Sequence, residues 1–222
     1  MSRKQPKPAP RRETKAESWT KTIVQLALVV LVALAARSSL ADHYVIPSGS
    51  MLPTLNIRDR VFVGKSAYGL RVPFTSITVM GAELPSRGDV AVFRSPTDGS
   101  VFIKRVVAVP GDKIKVVGGR LYVNGKPTRW EKDAGTTREI LGERRYTLRL
   151  QDGGGPDQAL VTVPDDACFV MGDNRGNSQD SRAWGFLPLS NLRGRAIAIY
   201  WHSGDGFSWE PLFEDLAEPI DE

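Results

Sequence analysis

One cysteine, Cys168, and two histidines, His43 and His202, stand in a chain of 222 residues. A single cysteine excludes an intrachain disulfide, and it leaves the redox compartment open. Cys168 lies in the apolar run "ACFVMG" and reads as a small buried hydrophobe rather than a nucleophile. The two histidines are far apart in sequence, and neither an H-E-x-x-H nor a C-x-x-C is present, so a metal site is poorly supplied. There is no Walker loop and no G-x-G-x-x-G. No metal or cofactor motif is therefore offered, and none is expected. No internal repeat in the range of roughly 20–50 residues is visible.

Positive charge is lacking too, once it is located. The formal net charge is +5. Residues 1–21 hold seven basic side chains and two acidic ones, which leaves 23 of each sign in the rest of the chain. The excess lies in a short Pro-rich arm, so a nucleic-acid partner is not expected. The stretch Phe207–Glu222 has the opposite bias, with six acidic residues and no Lys or Arg, and reads as a solvated acidic tail.

Long hydrophobic runs are limited to one. Thr22–Ala36, "TIVQLALVVLVALAA", carries no charge. As a helix it spans about 22 Å at about 1.5 Å per residue. That is less than the roughly 30 Å of a hydrocarbon core. Extension to Ala41 reaches about 30 Å and takes in Arg37, which can snorkel to headgroups. The basic arm in front orients the N-terminus to the cytoplasm. "SSLA" before Asp42 also fits a cleavable secretory signal, so anchor and signal both remain open. Either one sends the remainder across the membrane.

Beyond Asp42 the pattern is strand and turn. The chain holds 21 glycines and 15 prolines. "RVFVGKSAY" alternates, "GDVAVFRSP" and "VFIKRVVAVPGD" are apolar runs ended by turn residues, and "IKVVGGRLYVNGK" has the form of a hairpin. No long amphipathic helix is expected in this part. The expected fold is mainly β, antiparallel, preceded by one N-terminal transmembrane helix. Residues 126–160, polar and Gly-rich, read as an inserted ribbon or a mobile loop.

The stretch "IPSGSMLPTL" (46–55) sets two serines on a turn, since its prolines and glycine forbid a regular helix. A triad would need one of the histidines near Ser50. His43 and His202 read instead as interface or surface residues. A serine can also be activated by a neutral lysine. Desolvation lowers a lysine pKa, so the candidate must lie inside an apolar run. Lys104 does, in "VFIKRVVAV", and by strand alternation Arg105 points to the other face. An exposed strand lysine is the plain alternative.

Four ordered motifs, "IPSGSMLPTL", "RGDVAVF", "IKRVVAVPGD" and "GDNRGNSQDSRAWGFLP", together resemble bacterial type I signal peptidases (leader peptidases). The resemblance covers roughly residues 43–112 and 164–202. It implies a Ser-Lys dyad peptidase with Ser50 as nucleophile and Lys104 as general base. Ser178 matches the serine that holds the lysine amine. Ser48 matches, with the Ser50 amide, an oxyanion hole. Asp180 and Arg182, with Asp173 and Arg105 nearby, match supporting ion pairs. Tyr44, Ile46, Pro47, Met51, Leu55, Val61, Val92, Phe102 and Ile103 match shallow apolar pockets that admit small side chains at −1 and −3.

The implied partners are signal peptides of exported pre-proteins and the lipid bilayer, with the chain a monomer. Its implied place is the bacterial cytoplasmic membrane, catalytic domain outside. The expected organisation is a basic arm (1–21), a membrane anchor (22–41), a catalytic β domain (42–112 and 164–207), an inserted subdomain (113–163) and the acidic tail (208–222). A Ser-Lys peptidase dedicated to one substrate such as a pilin, and a non-catalytic anchored peptide-binding domain, remain alternatives. Intact Ser50, Lys104 and Ser178 weigh against the second.

Overall fold

A computed structural model of the chain describes residues 15–71, 78–80, 83–212 and 214–215. Most of the basic arm and the last seven residues lie outside that set. The apolar, β-branched runs form strands where period-two patterning predicts them, because alternate side chains then reach one buried face. The largest sheet has eight strands. Its order is Ala41–Val45, Arg60–Gly64, Leu192–His202, Val90–Arg94, Val101–Ala108, Ala167–Met171 and Leu187–Pro188, with Gly206–Pro211 added along Leu192–His202. Every pairing in this sheet is antiparallel. The mainly antiparallel β expectation holds.

Three cores share the strand Val101–Ala108, the third of them Val106 with Ala91, Phe93, Cys168 and Val170. In the first, Ile46, Met51, Leu55, Val61, Val63, Val92 and Ile103 pack together beneath the turn that carries Ser50. Full burial of a side chain such as Met51 or Leu55 contributes about 1.5–3 kcal/mol, so this turn is fastened by its apolar residues. In the second, Val107, Ala108, Phe169 and Met171 meet Ile114, Val116, Leu121, Leu141, Tyr146 and Leu148.

That second core changes the reading of residues 113–163. They form two small sheets. One orders Gln158–Thr162, Lys113–Val117, Arg120–Val123 and Lys126–Pro127. The other orders Arg129–Asp133, Thr136–Leu141, Arg144–Leu148 and Glu214–Asp215. The first pairs Gln158–Thr162 with Lys113–Val117 across a long excursion, which local patterning does not reveal. The segment is a packed lobe, and the mobile-loop alternative is set aside. Part of the acidic tail is strand-paired. Gly206–Pro211 pairs with Leu192–His202, and Glu214–Asp215 pairs with Arg144 and Arg145, because backbone groups there find open strand edges.

The N-terminal helix runs Lys15–Leu40, and Ala41 already belongs to the first strand, paired with Gly64. The helix therefore starts before and ends one residue short of the expected 22–41. Among the described residues no helix is long and apolar enough to cross a membrane.

Candidate active site

Ser50 sits in a single 3-10 turn, Gly49–Met51, just beyond the strand Ala41–Val45. The turn is closed by bonds at its base. Leu52 N–H donates to the Gly49 carbonyl (3.2 Å) and Leu55 N–H to the Met51 carbonyl (2.9 Å). Ile46 and the Arg58–Asp59 pair exchange two further backbone bonds, of 2.9 and 2.8 Å. Met51, beside Ser50, is wholly buried and anchors the turn to the sheet. Ser48 Oγ lies 3.4 Å from Ser50 Oγ.

Lys104 comes from the strand Val101–Ala108, paired with Ala91 of Val90–Arg94. Its side chain is 5% exposed. The amine donates to Ser50 Oγ at 2.6 Å and to its neighbour's carbonyl, Ile103 O, at 3.1 Å. Burial pushes the ammonium down from 10.5 to about 8, against the opposing pull of Asp180 and Asp173. A lysine shifted this far has a neutral fraction near physiological pH that can accept a proton. Cys168, a free buried thiol, is driven the other way, up to about 12, by burial alone.

The third strand of this neighbourhood, Ala167–Met171, pairs with Val101–Ala108 and delivers the loop 172–180 beside Lys104. Gly172 is required there, because a Cβ would overlap both Ser178 Oγ and the Ser50 carbonyl oxygen. Asn174 N–H donates to Ser50 O (3.1 Å) and its side-chain Nδ2 donates to Gly49 O (3.0 Å). Gly176 abuts the Gln151 carbonyl so closely that no side chain fits. Asp180 caps the short helix Ser181–Trp184, accepts from Gly172 N–H (3.0 Å) and pairs with Arg182 (2.8 Å). Arg105, on the face opposite Lys104, grips Asp173 with two bonds, of 2.8 and 2.7 Å, and lies 3.9 Å over the Tyr146 ring.

Ser178 differs from expectation. Its Oγ is buried and has no hydrogen-bond partner among the described residues. The second bond of the Lys104 amine goes to Ile103 O instead.

A cleft of about 610 Å³ opens over Ser50 and Lys104. Of the expected pocket residues it is lined by Tyr44, Ile46, Pro47, Val92, Phe102 and Ile103. Met51, Leu55 and Val61 do not line it. All three are fully buried in the core beneath the turn, where they hold the site up rather than face a ligand. The cleft adds Val45, Val101, Asn177 and Gln179. Asn177 and Gln179 flank Ser178 within the motif "GDNRGNSQDSRAWGFLP", so that neighbourhood was the available signal. The histidines stay apart from this chemistry. His43 is exposed on the first strand, opposite Phe62. His202 Nδ1 lies 3.2 Å from Asp59.

Comparison with known proteins finds a matching family and several relatives. The family profile described as "Signal peptidase, peptidase S26" matches residues 18–201. The chain is 38% identical over 196 residues to a signal peptidase I of Pseudomonas aeruginosa, covering 78% of this chain and 69% of that one. It is 38% identical over 214 residues to a signal peptidase I of Pseudomonas fluorescens, covering 85% and 72%. A probable signal peptidase I-2 of Synechocystis is 36% identical over 191 residues, covering 83% and 74%.

Proposed function

The chain belongs to the signal peptidase I family (peptidase S26), serine endopeptidases that remove signal peptides, and on that premise we propose that Ser50 is its nucleophile and Lys104 its general base. One observation carries the assignment: a serine on a tight turn stands 2.6 Å from the amine of a buried lysine. Neutral Lys104 takes the Ser50 proton as Oγ attacks the scissile carbonyl. The oxyanion is received by the Ser50 N–H and the Ser48 hydroxyl, each such donor contributing roughly 3–4 kcal/mol. The ammonium returns its proton to the leaving amine, and the C–N bond breaks. The same amine then deprotonates water, which hydrolyses the acyl-enzyme. While Ser50 is acylated the amine loses its hydroxyl partner. The buried, unpaired Ser178 hydroxyl is the group proposed to replace it. Asp180–Arg182 and Asp173–Arg105 are supports that keep this loop in place.

The apolar lining from Tyr44, Ile46, Val92, Phe102 and Ile103 supports cleavage after small side chains at −1 and −3, with the substrate extended against strand edges. The organisation into arm, anchor, catalytic domain, lobe and tail is part of the same reading. So is its place as a single-pass protein of the cytoplasmic membrane, N-terminus inside and domain outside. The helix Lys15–Leu40 leads without a linker into the first strand. Its Ile23, Val24, Leu26 and Leu28 lie exposed, and lipid would cover them.

The test is incubation of the purified full chain with unrelated precursors, with mass measurement of both products. Cleavage after small −1 residues in several precursors is expected. Binding without cleavage, or cleavage of a single precursor, would overturn the reading.

A further inference from the structure

The lobe 113–163 matched no motif, yet it reaches the site. Glu139 is 0% exposed and its carboxylate collects four donors. Thr128 Oγ1 (2.6 Å) and Trp130 Nε1 (2.9 Å) donate to one oxygen, and Tyr146 OH (2.7 Å) and Arg175 Nη2 to the other. Burial pushes this carboxyl up, but Arg175 and those hydrogen bonds outweigh it and hold it below its ordinary range. Arg175, also 0% exposed, gives its other terminal nitrogen to the Gly119 carbonyl. Three of the side chains that meet Glu139, and the Gly119 carbonyl that takes Arg175, belong to the lobe. Arg175 belongs to the loop beside Ser50.

The backbone repeats the link. Arg149 N–H donates to Asp173 O and Arg175 N–H to Arg149 O, each at 2.9 Å. Asn174, between those two residues, faces away from the lobe's edge and bonds Gly49 O and Ser50 O. The Ser50 turn is thus held by Asn174, and the two neighbours of Asn174 are held by the lobe. We propose that Glu139 is a positioning residue for the Ser50 chemistry, acting through Arg175 and Asn174, and that the lobe is a working part of the active site. The inference rests on Ser50 being the nucleophile.

An ion pair with no water around it tolerates the loss of neither partner. With Glu139 neutral, Arg175 keeps a buried charge without its counter-charge and must shift to find solvent or another acceptor. Asn174 is the adjacent residue, so Gly49 and Ser50 would lose fixed positions. A displacement of about 1 Å at a reacting atom can cost around 100-fold in rate. Glu139, Arg175 and Asn174 do not themselves line the cleft, so KM should stay.

The experiment compares Glu139→Gln with Val116→Ala in the full chain. Val116 is buried in the lobe core and takes no part in the hydrogen-bond network or the cleft lining. For Glu139→Gln, kcat on a cleaved precursor is expected to fall roughly 10- to 100-fold with KM within about twofold. Amide exchange at Asn174 should quicken in the same variant. Val116→Ala should lower thermal stability while leaving kcat and Asn174 exchange near wild type. If Glu139→Gln does not fold, Tyr146→Phe and Thr128→Val each remove one donor and should give smaller losses of kcat. Glu139→Asp should recover part of the rate. A folded Glu139→Gln, or the two single-donor variants, with wild-type kcat and wild-type Asn174 exchange would overturn the proposal. An equal loss of kcat in Val116→Ala would overturn it as well. An active Ser50→Ala would instead remove the nucleophile assignment, a result recognisable separately.

Discussion

Lys104 and Arg105 are consecutive, both cationic and both buried, yet they meet opposite fates on the two faces of one strand. Arg105 finds Asp173 in a two-point grip and the Tyr146 ring beneath it, and its charge is secured despite burial. Lys104 finds a serine hydroxyl and a backbone carbonyl, with its nearest carboxylates acting only at a distance. Burial alone therefore does not decide whether a cation keeps its proton. The contacting partner does. One face of the strand is built to keep a charge, and the other to give one up.

The largest effect is expected from removing the reactive face. Ser50→Ala and Lys104→Met should each reduce cleavage by at least roughly 10⁴-fold with the fold retained, as judged by circular dichroism. His43→Ala and His202→Ala should keep most activity. A dead histidine variant beside an active Lys104→Met would reverse the assignment.

Removing the securing partner tests the other face. Asp173→Asn leaves Arg105 buried without its carboxylate, a change that costs about 3–5 kcal/mol of stability, measurable by urea unfolding. Asp173 also raises the Lys104 pKa, so the pH midpoint of the surviving activity should move lower. An unchanged unfolding midpoint would show the two faces to be less different than their contacts imply.

Ser48→Ala should lower kcat by roughly 10²–10³ with little change in KM, as for a lost oxyanion donor. Full activity would leave the Ser50 amide as the sole donor.

The strand's own stability gives a smaller effect. Lys104 titrates at about 8 when folded and near 10.5 when unfolded. Between those values the unfolded chain binds more protons, so this group makes stability rise with pH across that window. Below about 8 its full cost, of order 3 kcal/mol, is present. Lys104→Met should remove both the cost and the rise, and thermal unfolding at pH 7 should move up. A variant less stable than wild type at pH 7 would contradict a desolvated lysine.

Much of this contrast was legible from residues alone. Pro and Gly around Ser50 announce a turn, and an apolar run around Lys104 announces desolvation. Alternation places Arg105 opposite. The pocket was less legible. Met51, Leu55 and Val61 are apolar residues near the site, and sequence does not say whether an apolar side chain faces a ligand or the core beneath it. Glu139 was not legible at all. Its partners come from positions 128, 130, 146 and 175, brought together only by the pairing of three lobe strands with a loop from the main sheet. The strand pairing of residues 206–215 was hidden for a similar reason, since it depends on which edges the rest of the fold leaves open.

Lys104 can serve as the base only if burial lowers its pKa from 10.5 towards the physiological range. An NMR titration of the lysine side-chain signals in the full chain, assigned by their loss in Lys104→Met, measures this directly. A midpoint near 8, matched by the pH at which cleavage reaches half its maximum, is the predicted result. A Lys104 midpoint near 10.5, with cleavage already maximal at pH 7, would contradict it.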